Sequence, residues 1–244
     1  ANVENAISVT CSLRPLDTAH DGFDALPLNH TDANCLLDAH LTICTHVLDE
    51  RLEELAIQHP EWTLIAADIR PLDGRGLKAN IEPVLLDMGR PAQVRACISG
   101  WQPDAIVHLA TVIRPPRDMS EAHLHAIEVG GTQCLVDSAV ANGVRQLIVT
   151  SSGAAYGYSA DNAEWIDENH PLRGHPRFAY ARHKLEIEQL LARCRGEHPQ
   201  LRQLVLRPGT ILGKRLNNPI SDLFSKRAVL GVRGHASRFV FIRE

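Results

Sequence analysis

The chain has 244 residues, of which 44% are hydrophobic and 22% charged, with a formal net charge of -4 and a pI near 6.4. That length buries a sizeable core, as one large domain or two small ones. No Lys/Arg run points to nucleic acid or an anionic membrane. No apolar stretch reaches the roughly 18 to 20 residues that cross a bilayer. Six cysteines (11, 35, 44, 97, 134 and 194) are scattered without a C-x-x-C pair. They read as reduced thiols of a cytoplasmic protein.

In chain order, residues 1 to 40 are rich in Asp, His, Asn and Thr and read as an irregular extension, with Ile7-Ser-Val9 its one strand candidate. His20, His30, His40 and Cys35 match no metal-ligand spacing, so no metal is expected. Next, "LTICTHVLDERLEEL" (41–55) reads as a strand, a turn and an amphipathic helix. From residue 62 short apolar runs alternate with helical patterns. The runs are Thr63–Ala67, Pro83–Leu86, Ala105–Leu109, Leu147–Thr150 and Leu204–Leu206, and the helices lie near 47–59, 90–99, 120–142 and 180–195. Near-continuous apolar strands alternating with helices imply an α/β protein with a doubly wound parallel sheet.

Two motifs carry chemistry. "VTSSGAAYG" (149–157) follows a strand, and "FAYARHK" (178–184) opens a helix. Tyr180 and Lys184 are four apart and share a helix face. A nearby ammonium favours phenolate, which suits Tyr180 to acid/base work on a hydroxyl or carbonyl. A serine hydroxyl at the neighbouring strand end can hold the same oxygen. The competing reading is an amphipathic helix with a packed Tyr and a solvated Lys. The order strand, Ser-Ser-Gly, then Tyr-x-x-x-Lys favours chemistry.

From about residue 62 to 243 the chain resembles the extended short-chain dehydrogenase/reductases, the NAD-dependent epimerase/dehydratase family. The matching segments are "DAIVHLAT" (104–111), "VGGTQCLVDSAVANGVRQLIVTSS" (129–152), "YARHK" (180–184) and "LRPGTILG" (206–213). The resemblance implies a Rossmann-like domain over 41–244, with the substrate region opening from about 207. It makes Ser152 the hydroxyl donor, Tyr180 the general acid/base, and Lys184 the residue that lowers the Tyr pKa and bonds the nicotinamide ribose. Asp68 would accept from the adenosine ribose, favouring NAD over NADP; its competing role is a helix N-cap. Asp87 and Met88 would flank adenine. Leu109, Ala110, Thr111 and Pro208 would line the cofactor's path. The implied activity is oxidoreduction or epimerisation of a sugar or nucleotide-sugar. The alternatives are a catalytically inactive binding or sensor protein and a truncated gene product.

There are departures. The family's N-V-x-G-T reads Glu128-Val-Gly-Gly-Thr132, and a carboxylate cannot donate as an amide does. It would pair with Lys184 if close and weaken its effect on Tyr180. The positions of the T-G-x-x-G-x-x-G glycines hold Ile43, His46 and Asp49, although Asp68 follows Asp49 by 19 residues, near the expected separation of about 20. Ile43 suits a positive φ poorly, and Asp49 and Glu50 put carboxylates where an anion would bind. Each carboxylate about 4 Å from a phosphate costs on the order of 1 to 4 kcal/mol. Weak NAD binding or none is the expectation. "SRFVFIRE" (237–244) resembles a strand that the family follows with further substrate-domain structure, so part of the substrate pocket is expected to be missing unless a partner subunit supplies it. Val136, Val140, Leu190 and Leu191 are expected to close a four-helix homodimer interface.

Overall fold

The computed structural model describes residues 40–44, 49–71, 77–112, 115–212 and 241–243. Ile7–Val9, His46 and most of the residues beyond 212 lie outside them. A six-stranded parallel sheet has the order β3-β2-β1-β4-β5-β6. Its strands are β1 (His40–Cys44), β2 (Thr63–Asp68), β3 (Ile81–Leu85), β4 (Ala105–His108), β5 (Gln146–Thr150) and β6 (Arg202–Leu206). A parallel pair, β7 (Thr210–Leu212) with β8 (Phe241–Arg243), forms a second small sheet. The first strand begins at His40, one residue before the expected domain start.

The order reverses between β1 and β4, where Leu41 pairs with both Leu64 and Ala105. Ligands of open α/β sheets lie beyond the strand C-termini at such a reversal. β2 is buried from Leu64 to Asp68, because strands on both sides and helices above and below cover it. β3 is an edge strand with exposed Glu82, Pro83 and Leu85. Pro83 lacks a ladder N–H, and an edge position tolerates that. β3 starts at Ile81 rather than Pro83 because Ile81 pairs with Leu64.

Right-handed crossovers place α1 (Asp49–Gln58) on one face and α2 (Pro91–Trp101), α4 (Gly131–Ala141) and α5 (Ala179–Glu197) on the other. The two cores agree. Leu52 and Ala56 of α1 pack on Leu64, Ala66 and Ile81. Val94, Leu135, Val136, Leu190 and Leu191 pack with Ile106, Leu147 and Val149. The long helix expected over 120–142 is α3 (Glu121–His125), one π-helical stretch (Ala126–Gly130) and α4. Gly131 is required where it stands: a Cβ would lie 2.7 Å from the Met88 carbonyl oxygen.

The residues expected to pair two copies are corrected here. Val136, Leu190 and Leu191 are 1%, 4% and 0% exposed and belong to the chain's own core. Helical spacing alone cannot tell a stripe facing the sheet from one facing a partner. Val140 is the one half-buried member, in a groove between α4 and α5.

Candidate active site

β5 delivers Thr150, and the chain turns through Ser151 and Ser152 into a 3-10 turn, Gly153–Tyr156. Ser152 caps that turn: its Oγ accepts the Ala154 N–H at 3.2 Å, leaving its own O–H to donate elsewhere. α5 begins at Ala179 and carries Tyr180 in its first turn. Lys184 follows one turn later, 3% exposed; its Nζ donates to the Thr150 carbonyl at 3.3 Å and stands 5.5 Å from the Tyr180 ring centroid. The structure thus brings the Tyr180–Lys184 pair to the C-terminal end of β5, the strand that leads into Ser152.

Glu128 does not follow the expected pairing with Lys184. It is 6% exposed in the π-helical stretch, and its carboxylate accepts the Thr111 hydroxyl at 3.1 and 3.0 Å and the Val112 N–H. Among the described residues no ion pair joins Glu128 to Lys184. The carboxylate instead ties the segment leaving β4 to the helix above it. π-Helical insertions are frequent at functional sites.

His108, at the end of β4, is 5% exposed. The Thr132 hydroxyl donates to the Glu128 carbonyl at 2.6 Å, so it accepts from His108 Nε2–H at 3.0 Å. Nδ1 then carries the bare lone pair and meets no donor among the described residues. Burial, with the Lys184 charge adding to it, pulls the His108 pKa from the usual 6.5 to about 3. Desolvation lowers that of His183 as well, against the opposing pull of Glu128.

A second network sits one turn further along α5. Glu188, one turn beyond Lys184 and 5% exposed, accepts the Ser151 hydroxyl at 2.5 Å and pairs with Arg207 at 2.6 to 2.9 Å. Arg207 reaches on to the Tyr156 hydroxyl at 2.8 Å and the Glu168 carbonyl at 3.0 Å. The Glu188 bonds hold the guanidinium pKa above its ordinary value. Sequence reasoning missed Ser151, Glu188 and Arg207. The available signal was the four-residue step from Lys184 to Glu188, which puts both on one face of α5.

The expected cofactor residues line the strand ends. Asp68 closes β2 at 7% exposure, accepts the Arg70 N–H at 2.8 Å, and has its pKa raised chiefly by burial. Leu109, Ala110 and Thr111 follow β4, and Pro208 follows β6. Asp87 is occupied in its own turn: its carboxylate accepts the Gly89 N–H at 2.8 Å and faces Arg90 Nε at 3.3 Å. Met88 is 8% exposed and part of the core. Asp68 and Lys184 stand at the ends of β2 and beside β5, on either side of the reversal. One is a hydrogen-bond acceptor and the other a donor. The segment that would face a pyrophosphate, 45–48, lies outside the described residues.

The sequence model of the NAD dependent epimerase/dehydratase family matches residues 50–232. An N-acetyl-alpha-D-glucosaminyl-diphospho-ditrans,octacis-undecaprenol 4-epimerase of Escherichia coli O157:H7 is 34% identical over 128 residues, 51% of this chain and 36% of that protein. A dTDP-L-rhamnose 4-epimerase of Burkholderia thailandensis is 34% identical over 105 residues, 42% of this chain and 28% of that protein. A short-chain dehydrogenase/reductase superfamily protein from Agrobacterium tumefaciens, solved with bound NAD, superposes with a TM-score of 0.56 at 25% identity, covering 71% of this chain and 50% of the other. The Bordetella bronchiseptica enzyme WbmH, in complex with NAD+, gives a TM-score of 0.61 at 22% identity, covering 77% and 62%. The chain therefore spans about a third of these curated relatives and half to three fifths of these solved chains.

His108 supplies a pH test. A histidine held neutral in the fold but free to protonate when unfolded contributes stability above its unfolded pKa. That stability is lost as pH falls from 6.5 towards 3. Between pH 7 and pH 4.5 the native chain should lose about 2 to 3 kcal/mol through this group. Urea unfolding of wild type and His108→Gln at both pH values checks it: the variant should lose that much less. Equal losses in the two proteins would contradict the assignment.

Proposed function

The chain belongs to the NAD dependent epimerase/dehydratase family, and from that premise we propose that it carries out NAD-dependent oxidoreduction or epimerisation at a hydroxyl or carbonyl of a nucleotide-sugar. The observation that carries the reading is Lys184, buried between the Thr150 carbonyl and the Tyr180 ring. NAD, when bound, supplies the hydride acceptor. The rest is work for side chains. Tyr180 Oη takes the substrate hydroxyl proton, and the Ser152 hydroxyl donates to the same oxygen. Lys184 places positive charge beside the phenol and offers an N–H donor to the nicotinamide ribose. Asp68 accepts from the adenosine ribose, with Leu109, Ala110, Thr111 and Pro208 along the path between. Asp87 and Met88 act there through the shape of their turn. Residues from about 207 open the substrate side. Two copies pairing across the α4–α5 groove belong to the same proposal, with Val140, Gln133, Asp137 and Arg193 among its lining residues.

A second reading, a non-catalytic binding protein, is favoured by Ile43, His46 and Asp49 at the three glycine positions. Glycine at these positions is what lets backbone approach a pyrophosphate, and α1 opens on Asp49 and Glu50, two carboxylates where an anion would bind. NAD titration by calorimetry separates the two readings, since the second predicts no binding at any concentration.

Tyr180→Phe should lower turnover of a nucleotide-sugar by about 10² to 10⁴, the usual share of general acid–base catalysis, with NAD binding nearly unchanged. Unchanged turnover removes Tyr180 from the mechanism. Ile43→Gly, His46→Gly and Asp49→Gly together should tighten NAD binding. Relief of the Asp49 charge alone recovers about 1 kcal/mol, roughly five-fold. The triple variant should also lose about 0.5 to 1 kcal/mol of stability per site. Micromolar NAD affinity in the wild-type chain would show that this turn tolerates phosphate.

A further inference from the structure

Four of the large exposed hydrophobic side chains among the described residues come from one segment, the link between Ser152 and Tyr180. They are Tyr158 (67% exposed), Trp165 (88%), Ile166 (42%) and Phe178 (43%). Of these, Tyr158 and Phe178 are neighbours in space, and contiguous exposed apolar surface marks ligand or partner sites. Both ends of the link are pinned. Asn162 Nδ2 donates to the Gly157 carbonyl at 3.0 Å, and its Oδ1 accepts from Arg173 at 2.8 Å. The Gly174 N–H returns to the Ala155 carbonyl at 2.9 Å. Gly157, at φ +74°, packs so close that a Cβ would strike the Gly174 carbonyl oxygen. The aromatic residues are therefore presented by an ordered turn rather than a loose loop.

Two neighbours, His175 and Tyr180, extend Tyr158 and Phe178 into a chain of rings. His175 stands 6.4 Å from Tyr158, Tyr158 6.2 Å from Phe178, and Phe178 5.8 Å from Tyr180, centroid to centroid. The last two pairs are each tilted by 38°. These spacings are those of packed aromatic pairs. The chain ends on the phenol that moves the proton. A substrate that offers a hydroxyl to Tyr180 has Phe178 and then Tyr158 within one ring's reach.

We propose that Phe178 and Tyr158 form a stacking platform that takes the apolar C–H face of the sugar ring whose hydroxyl meets Tyr180. This rests on the nucleotide-sugar reading above and adds the residues that would select the sugar. The two ring faces carry no charge and no strong donor, so they match C–H groups and cannot hold a diphosphate. A sugar with fewer hydroxyls on the stacked face, such as a deoxy sugar, desolvates at lower cost there and should be preferred. Neither ring touches the reacting atoms, so both act on specificity and binding.

The test is calorimetric titration of UDP-glucose and of UDP against wild type, Phe178→Ala, Tyr158→Ala and Phe178→Tyr. The alanine variants lose ring–ring contacts and should unfold a few degrees lower while remaining folded at the titration temperature. They should bind UDP-glucose about three- to ten-fold more weakly and UDP as wild type does, while Phe178→Tyr restores UDP-glucose affinity. Equal weakening for both ligands would assign the platform to the base or diphosphate and overturn the proposal. Unchanged UDP-glucose affinity in the alanine variants overturns it too. A wild-type chain that binds neither ligand overturns the nucleotide-sugar reading itself, and the platform with it.

Discussion

An ammonium buried to 3% exposure has to be held from several sides, and the way Lys184 is held organises the site around it. Taking such a charge out of water costs several kcal/mol unless polar partners replace the solvent. The Thr150 carbonyl and the Tyr180 ring face do so here. Because Thr150 ends β5 and Tyr180 opens α5, the same contacts set helix against strand. One turn on, Glu188 repeats the device with Ser151 and Arg207. Two charged residues on one face of α5 thus anchor it to the ends of β5 and β6. The order of strands then places this corner beyond the sheet's reversal point, facing Asp68 across β1 and β4.

Much of the fold was legible because strands covered on both faces read as unbroken apolar runs. Thr63–Ala67 and Leu147–Thr150 came within a residue of β2 and β5. The edges were less legible. β3 contains Pro83 and β6 opens with Arg202 and Gln203, which one-sided exposure permits but apolar runs do not announce. The Tyr180–Lys184 pair was legible as a spacing on one helix. Ser151, Glu188 and Arg207 were not, because their meeting depends on three elements folding together. Val136, Leu190 and Leu191 show the opposite limit, since an apolar stripe on a helix does not say which neighbour it faces.

Glu128 shows how a departure from a family pattern can be absorbed. The carboxylate cannot donate, yet it has found two donors in Thr111 and Val112. It thereby fastens the path along which Leu109 to Thr111 leave β4. The His108–Thr132 pair, one layer below, fixes the same strand end to the same helix. Here a carboxylate ties loop to helix while Lys184 keeps its own partners. The family match begins at Glu50, just past the glycine-free turn. The Tyr180–Lys184 corner lies within that match, and the glycine-free turn lies before it.

The most direct test of the account is a crystal structure of the chain soaked with NAD at millimolar concentration, which suits weak affinity. The account predicts the dinucleotide across the ends of β2, β1, β4 and β5, with its adenosine ribose at the Asp68 carboxylate and its nicotinamide ribose at Lys184 Nζ. NAD bound elsewhere, or absent at that concentration from an open crevice, would contradict it.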